Sequence, residues 1–197
     1  MKALLKTLIF TFATAMLCHA DPVLHMVASA PSVDVGQTVF LDVSISGMFA
    51  NTAPSLKIYQ MEVWYNDTVF DVTGHSVGTQ LQLNGNNSSW FRVSKPGYVI
   101  VREHSDNTEQ ELNDLQADSF HLFRLTLTGI KPGFSSFYLA NVSLLDPRSP
   151  EPQPIAASFA AARASIAVNA VPEPSAAGVL LGSLGIAAKL LRRKRHA

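Results

Sequence analysis

Thr38-Val-Phe-Leu-Asp-Val-Ser-Ile-Ser46 alternates apolar and polar side chains along its length. In an extended chain successive side chains point to opposite faces. Val39, Leu41, Val43 and Ile45 therefore share one face, and Asp42 and Ser44 share the other. A strand that is apolar on one side and polar on the other belongs to an antiparallel sheet covered on one face only.

The same period recurs on both sides of this stretch. Residues 57–65 set Tyr59, Met61, Val63 and Tyr65 against Gln60 and Glu62, and residues 119–128 set Phe123, Leu125 and Leu127 against Arg124 and Thr126. Residues 134–145 and 163–169 complete the strong set, and shorter candidates lie at 24–29, 69–72, 81–83, 89–93 and 98–102. Asp34-Val35-Gly36, Asn84-Gly85-Asn86, Lys95-Pro96-Gly97 and Lys131-Pro132-Gly133 supply the turns between them. Between the two ends of the chain no segment carries a capped helical period, although 156–164 is rich enough in Ala for one helical turn. About nine short strands in one domain predict an all-β, antiparallel jelly-roll β-sandwich. Pro147, Pro150, Pro152 and Pro154 cannot donate to a ladder, so this excursion before the last strand reads as an extended surface loop.

The two ends are of another kind. Lys2 and Lys6 precede an apolar run, 8–17, that closes on Cys18-His19-Ala20. Residues 1–20 therefore read as a secretory signal peptide, cut between Ala20 and Asp21. Cys18 is the only cysteine, so the mature chain has neither a disulfide nor a thiolate site. Leu17, where a lipoprotein would carry a small residue, speaks against lipidation. At the other end Val171-Pro172-Glu173-Pro174-Ser175 precedes an apolar helix, 176–191, and a basic cluster within 192–197. A helix satisfies its own backbone groups in lipid, and the cluster holds that end on the cytoplasmic side. Its 16 residues span roughly 24 Å, against a bilayer core of about 30 Å. Such a short span suits a segment that is held and then cut, with a plain C-terminal anchor as the alternative.

The neutral total hides an acidic middle. From Asp21 to Pro174 there are 8 Lys+Arg and 15 Asp+Glu, a net charge of −7. That balance excludes nucleic acid as a partner, because phosphate needs a positive surface.

Pro172, Glu173 and Pro174, followed by the apolar helix and the Arg-rich end, resemble the PEP-CTERM sorting signal of Gram-negative bacteria. The resemblance implies recognition by exosortase, a membrane-bound processing enzyme, in species that export exopolysaccharide. The order of SVDVGQTVFLDVSISG (32–47), LKIYQMEVWYNDTVFDVTG (56–74), SFHLFRLTLTGIKPGFSSFYLANVSLLD (119–146) and ASIAVN (164–169) resembles a cohesin-like domain. That resemblance covers roughly 22–169 and implies a nine-stranded jelly roll, related to carbohydrate-binding modules, that binds without catalysis. The domain order is then a signal peptide (1–20), a sandwich (21–170), a motif and stalk (171–175), a transmembrane sorting helix (176–191) and a basic cytoplasmic tail (192–197).

Few residues suggest chemistry. His25, His75, His104 and His121 have no partner at metal-ligand spacing. No nucleophile elbow, phosphate loop or His-Glu-x-x-His motif is present. The stretch 103–118 holds six acids and no Lys or Arg. It reads as a solvated edge loop, with Asp106, Glu109, Glu111 and Asp114 as calcium candidates, since calcium takes several oxygens from a flexible loop. Trp64, Tyr65, Trp90, Phe91 and Tyr98 are candidates for a platform on which pyranose rings stack, and Trp64 shares the polar-facing parity of Gln60 and Glu62.

The expectation is an exported, non-catalytic, surface- or matrix-associated sandwich. It is held by the membrane at least transiently and mediates adhesion or scaffolding in an exopolysaccharide layer. Its expected partners are an exosortase-type enzyme and either exopolysaccharide or another surface protein. The alternative is a carbohydrate-binding module that recognises exopolysaccharide through Trp64 or Trp90; a surface hydrolase ranks last.

Overall fold

The alternating segments pair into two sheets in the computed structural model, which describes residues 21–50, 53–148 and 150–171. Ten strands are formed: β1 (Val23–Ala28), β2 (Ser32–Asp34), β3 (Thr38–Ser46), β4 (Ile58–Trp64), β5 (Phe70–Val77), β6 (Ser88–Lys95), β7 (Tyr98–Ser105), β8 (Phe120–Gly129), β9 (Gly133–Leu145) and β10 (Arg163–Asn169). A four-stranded sheet runs β1-β3-β8-β5 and a six-stranded sheet runs β2-β10-β9-β4-β7-β6. All pairings are antiparallel except β10 with β2, which is parallel. The apolar parity named for β3 is the buried one: Val39, Leu41, Val43 and Ile45 are sealed in the core with Leu125 and Leu127 of β8 and Tyr59, Met61 and Val63 of β4.

Three expectations change. Residues 81–83 do not form a strand. Leu83–Gly85 is a 3₁₀ turn in which Asn84 (φ 55) and Gly85 (φ 75) take left-handed backbone, and the Gln82 N–H bonds the Thr79 carbonyl (3.0 Å) as in a turn. The acidic stretch is not one loop. Glu103 ends inside β7, and Glu109–Leu115 is a helix, α1. Thr108 caps α1: its side chain accepts from the Glu111 backbone N–H while the Glu111 carboxylate takes the Thr108 N–H, satisfying two end donors reciprocally. Leu112 anchors the helix from its buried side. The Ala-rich stretch 156–164 makes no helix and enters β10 through a turn.

The Pro-rich excursion closes as a pinned loop. Buried Asp146 accepts the backbone N–H of Gln153 (2.9 Å) and of Arg148 (3.2 Å), as well as the Arg148 guanidinium. Ile155 then donates back to the Leu144 carbonyl (2.8 Å).

Among the described residues no helix is long and apolar enough to cross a membrane. The signal peptide, Ala20, the motif Pro172-Glu173-Pro174, the sorting helix and the basic end lie outside the described residues.

Candidate binding face

Strand register determines which side chains stand together on the outside of the six-stranded sheet. Trp64 on β4 lies opposite Tyr98 on β7 and opposite Tyr138 on β9. Directly opposed residues share a face, so one row crosses three strands. Its ends are cationic: Arg163 of β10 lies opposite Tyr138, and Lys95 of β6 lies opposite Tyr98. The next rows read Ala140, Glu62, Ile100, Val93, then Ser143, Gln60, Arg102, Phe91. Arg102 sits over the Phe91 ring at 6.0 Å, and Phe91, Val93, Phe134 and Tyr138 are exposed. Exposed apolar side chains gathered on one sheet face in this way suit an interaction surface.

The rings stand against one another. Trp64 and Tyr98 have centroids 4.9 Å apart at an interplanar angle of 17°, and Trp64 and Tyr138 are 6.2 Å apart at 16°. At 4.9 Å two near-parallel rings must be face to face, because rings lying side by side in one plane would overlap. Trp64 therefore has one face against Tyr98, with Tyr138 near-parallel at its other side. Its indole N–H is also engaged, donating to a Glu62 carboxylate oxygen at 2.8 Å.

The structure brings together Trp64 and Tyr98 from the five aromatics singled out in the sequence, and adds Tyr138. Phe91 shares the face but stands two rows away. Tyr65 turns to Phe137, ring to ring at 6.1 Å. Trp90 has the opposite parity. Its register partner is Glu103, which is buried, while Trp90 itself stays half exposed on the edge strand. Trp64 and Trp90 thus do not form one platform. Tyr138 was hard to find because residues 134–139 place aromatics on both parities, and alternation alone does not say which parity is covered.

Trp90 closes a seam between the sheets. Edge strand β6 meets edge strand β5 without backbone pairing. Arg92 donates to the Val72 carbonyl (3.0 Å), and Trp90 packs on His75 at 4.8 Å between centroids. Both ring nitrogens of His75 are buried and have no hydrogen-bond partner. Burial, followed by the nearby Arg92 charge, pulls His75 down to about 4. On the same inner row, burial pushes the Glu103 carboxyl above the ordinary range, against the opposing hydrogen bond from Ser88 (2.6 Å).

These shifts have opposite signs in stability. The unfolded chain binds the His75 proton below about pH 6.5, while the folded chain resists it until about 4. Stability contributed by neutral His75 is therefore complete above the unfolded value and lost as pH falls toward the folded one. Glu103 acts the other way, its contribution being lost as pH rises through its raised value. Because the imidazole is only partly buried, the expected loss on the acid side is about 1–2 kcal/mol. Urea titrations at pH 7 and pH 4.5 measure it. His75→Phe should flatten the acid-side change, and an unchanged pH dependence in that variant would contradict this assignment.

The calcium candidates lie at one end of the sandwich. Glu109, Glu111 and Asp114 are on α1, with Asp106 just before it. The Glu111 carboxylate closes the capping box and also takes the Asn86 amide (3.2 Å), while Asp114 accepts from Gln110 (2.7 Å). Among the described residues no group of three or more His, Cys, Asp or Glu side chains is arranged to hold a metal ion. His121 and Arg124 both bond Asp42 on the outside of the four-stranded sheet, the guanidinium through two bonds of 2.7 and 2.9 Å. Asp21 is exposed ahead of β1.

No protein-family model and no curated protein sequence matches this chain. Solved structures do. A cohesin module from a Clostridium perfringens family 33 glycoside hydrolase aligns at TM-score 0.58 and 13% identity, covering 77% of this chain and 98% of that one. The seventh ScaB type I cohesin of Pseudobacteroides cellulosolvens aligns at 0.56 and 14%, covering 78% and 96%. A cohesin from Clostridium thermocellum, solved in a type I cohesin–dockerin complex, aligns at 0.57 and 14%, covering 77% and 97%. At these identities the likeness is one of fold: the chain is a cohesin-like β-sandwich.

Proposed function

We propose that this chain is an exported, non-catalytic binding module that offers the outer face of its six-stranded sheet to a protein partner. The row Tyr138–Trp64–Tyr98 stands at one end of that contact. Pro172-Glu173-Pro174 would direct the chain through an exosortase-type enzyme, by way of the membrane, to the cell surface or extracellular matrix, where it serves adhesion or scaffolding. The observation that carries the reading is the exposed, apolar, aromatic-centred face on a cohesin-like sandwich. The Clostridium thermocellum match was itself solved with a bound dockerin, which supports partnering with protein.

The stacking geometry favours protein over glycan. A pyranose needs the open face of a ring, whereas Trp64 is stacked on Tyr98 with Tyr138 near-parallel beside it, and Trp90, although half exposed, packs its ring on His75. A protein surface can use the exposed ring edges and the aliphatic rows beside them.

The test uses fragment 21–170, which contains all ten strands and the whole buried core. A photo-reactive side chain at position 138 should give a discrete protein adduct on the producing cells. Trp64→Ala should weaken that partner by about thirtyfold, the scale of an aromatic hot-spot residue. Saturable glycan-array binding that Trp64→Ala abolishes, with no protein adduct, would replace this reading with the carbohydrate-binding one.

A further inference from the structure

We infer that the partner surface is acidic, presenting carboxylates to Lys95, Arg102 and Arg163 around an apolar centre. This rests on the reading of the face as protein-binding. From Asp21 to Pro174 the chain carries 8 Lys+Arg against 15 Asp+Glu, yet the strands of this face reverse that balance. Lys95 and Arg163 end the aromatic row, and Arg102 stands two rows away over Phe91; all three are exposed. Against these three cations the same face carries two carboxylates, each bonded to a neutral donor. Glu62 takes the Trp64 indole N–H at 2.8 Å, and Asp34, on the far edge strand, takes the Asn169 amide at 3.3 Å.

Arg163 Nε likewise donates to a neutral group, the Ala160 carbonyl, at 3.2 Å, and no cation of this face is paired with an acid. The described residues contain three ion pairs, His121–Asp42, Arg124–Asp42 and Arg148–Asp146, and none lies on this face. Elsewhere an acidic partner meets like charge. The end that carries α1 presents Glu109, Asp114 and Asp106. At physiological salt each charge acts over roughly 8 Å, so this face can attract carboxylates that the molecule as a whole repels. Complementarity of this kind sets orientation and association rate and excludes wrong partners. The apolar rows require more than charge: a purely polar anion would leave Phe91, Val93 and Phe134 in water.

The probe is the random copolymer poly(Glu,Tyr), compared with poly(Lys,Tyr), poly-glutamate and alginate, all against fragment 21–170. Poly(Glu,Tyr) should bind, and raising salt from 50 to 300 mM should weaken it about tenfold. The double variant Lys95→Glu/Arg163→Glu should abolish binding, and Lys95→Gln/Arg163→Gln should weaken it at least tenfold; both sites are exposed, and circular dichroism checks the fold. Poly(Lys,Tyr), which the acidic end can hold, should not be weakened by Lys95→Gln/Arg163→Gln, and poly-glutamate should bind less tightly than poly(Glu,Tyr). Binding of poly(Glu,Tyr) that ignores charge reversal but is lost in Trp64→Ala would overturn the acidic class while leaving the face intact. Binding that ignores both substitutions would overturn both. Tighter binding of alginate than of poly(Glu,Tyr) would overturn the protein class in favour of an acidic polysaccharide.

Discussion

Phe123→Ala should destabilise the sandwich by about 3–5 kcal/mol. Phe123 is fully buried on β8, stacked on Tyr59 of the opposite sheet at 5.9 Å and in contact with His75 at 6.0 Å. Removing the ring loses its transfer free energy and leaves a hole that two hydrogen-bonded sheets cannot close. A domain of this size is stable by only about 5–15 kcal/mol, so the loss removes a large share. The urea midpoint should fall with an unchanged slope. A second reading follows from position: the hole opens beside the unpartnered His75 nitrogens, and water that enters solvates the imidazolium. The His75 titration, followed by NMR, should rise from about 4 toward the ordinary histidine range. A variant that loses less than about 1 kcal/mol would show that the ring is not the packing element between the sheets.

Gly78→Ala should cost roughly 3 kcal/mol through overpacking. A Cβ on Gly78 would stand 2.0 Å from the His121 carbonyl oxygen and 3.3 Å from that of Leu122, both backbone atoms of β8. They cannot rotate away as a side chain would. The Gly78 N–H also donates to the Leu122 carbonyl at 2.7 Å, so relief by displacement breaks a bond that ties the end of β5 to β8. Gly36→Ala is the comparison. Gly36 has nothing within 4 Å of a Cβ but takes φ +84, so its cost is the conformational one, roughly 1 kcal/mol. Thermal melts of the two variants should rank accordingly, and equal losses would refute the steric argument.

Neither substitution touches the proposed binding face, yet both bear on it. The row Tyr138–Trp64–Tyr98 exists only while β9, β4 and β7 hold their register, and that register depends on the core behind them. Binding measured on a destabilised variant should therefore be corrected for the unfolded fraction before any effect is assigned to the face.

Much of this was legible along the chain. Val39, Leu41, Val43 and Ile45 alternate strictly, and they are the residues buried in β3. Arg163–Asn169 was placed as the last strand with the bounds it has. Other features were written in a form that strand reading overlooks. The capping box of Thr108 and Glu111 announces α1, but six acids in the same stretch read equally as a solvated loop. Asn84-Gly85 reads as a turn and is one, whereas the strand expected at 81–83 is replaced by turn and 3₁₀ backbone.

The sequence alone determined the local facts: which segments are extended, which side chains share a strand face, where the turns fall, and that the middle of the chain is acidic. Period-two alternation and turn chemistry are properties of neighbours along the chain, so they survive without knowledge of the fold. Only the tertiary structure decided that Tyr138 joins Trp64 and Tyr98, that Trp90 packs on His75 away from that row, and that Lys95 and Arg163 flank one row. Those are matters of which strands lie side by side and which face the second sheet covers. Alternation is blind to both, because inward and outward parities look alike wherever aromatic residues occupy each.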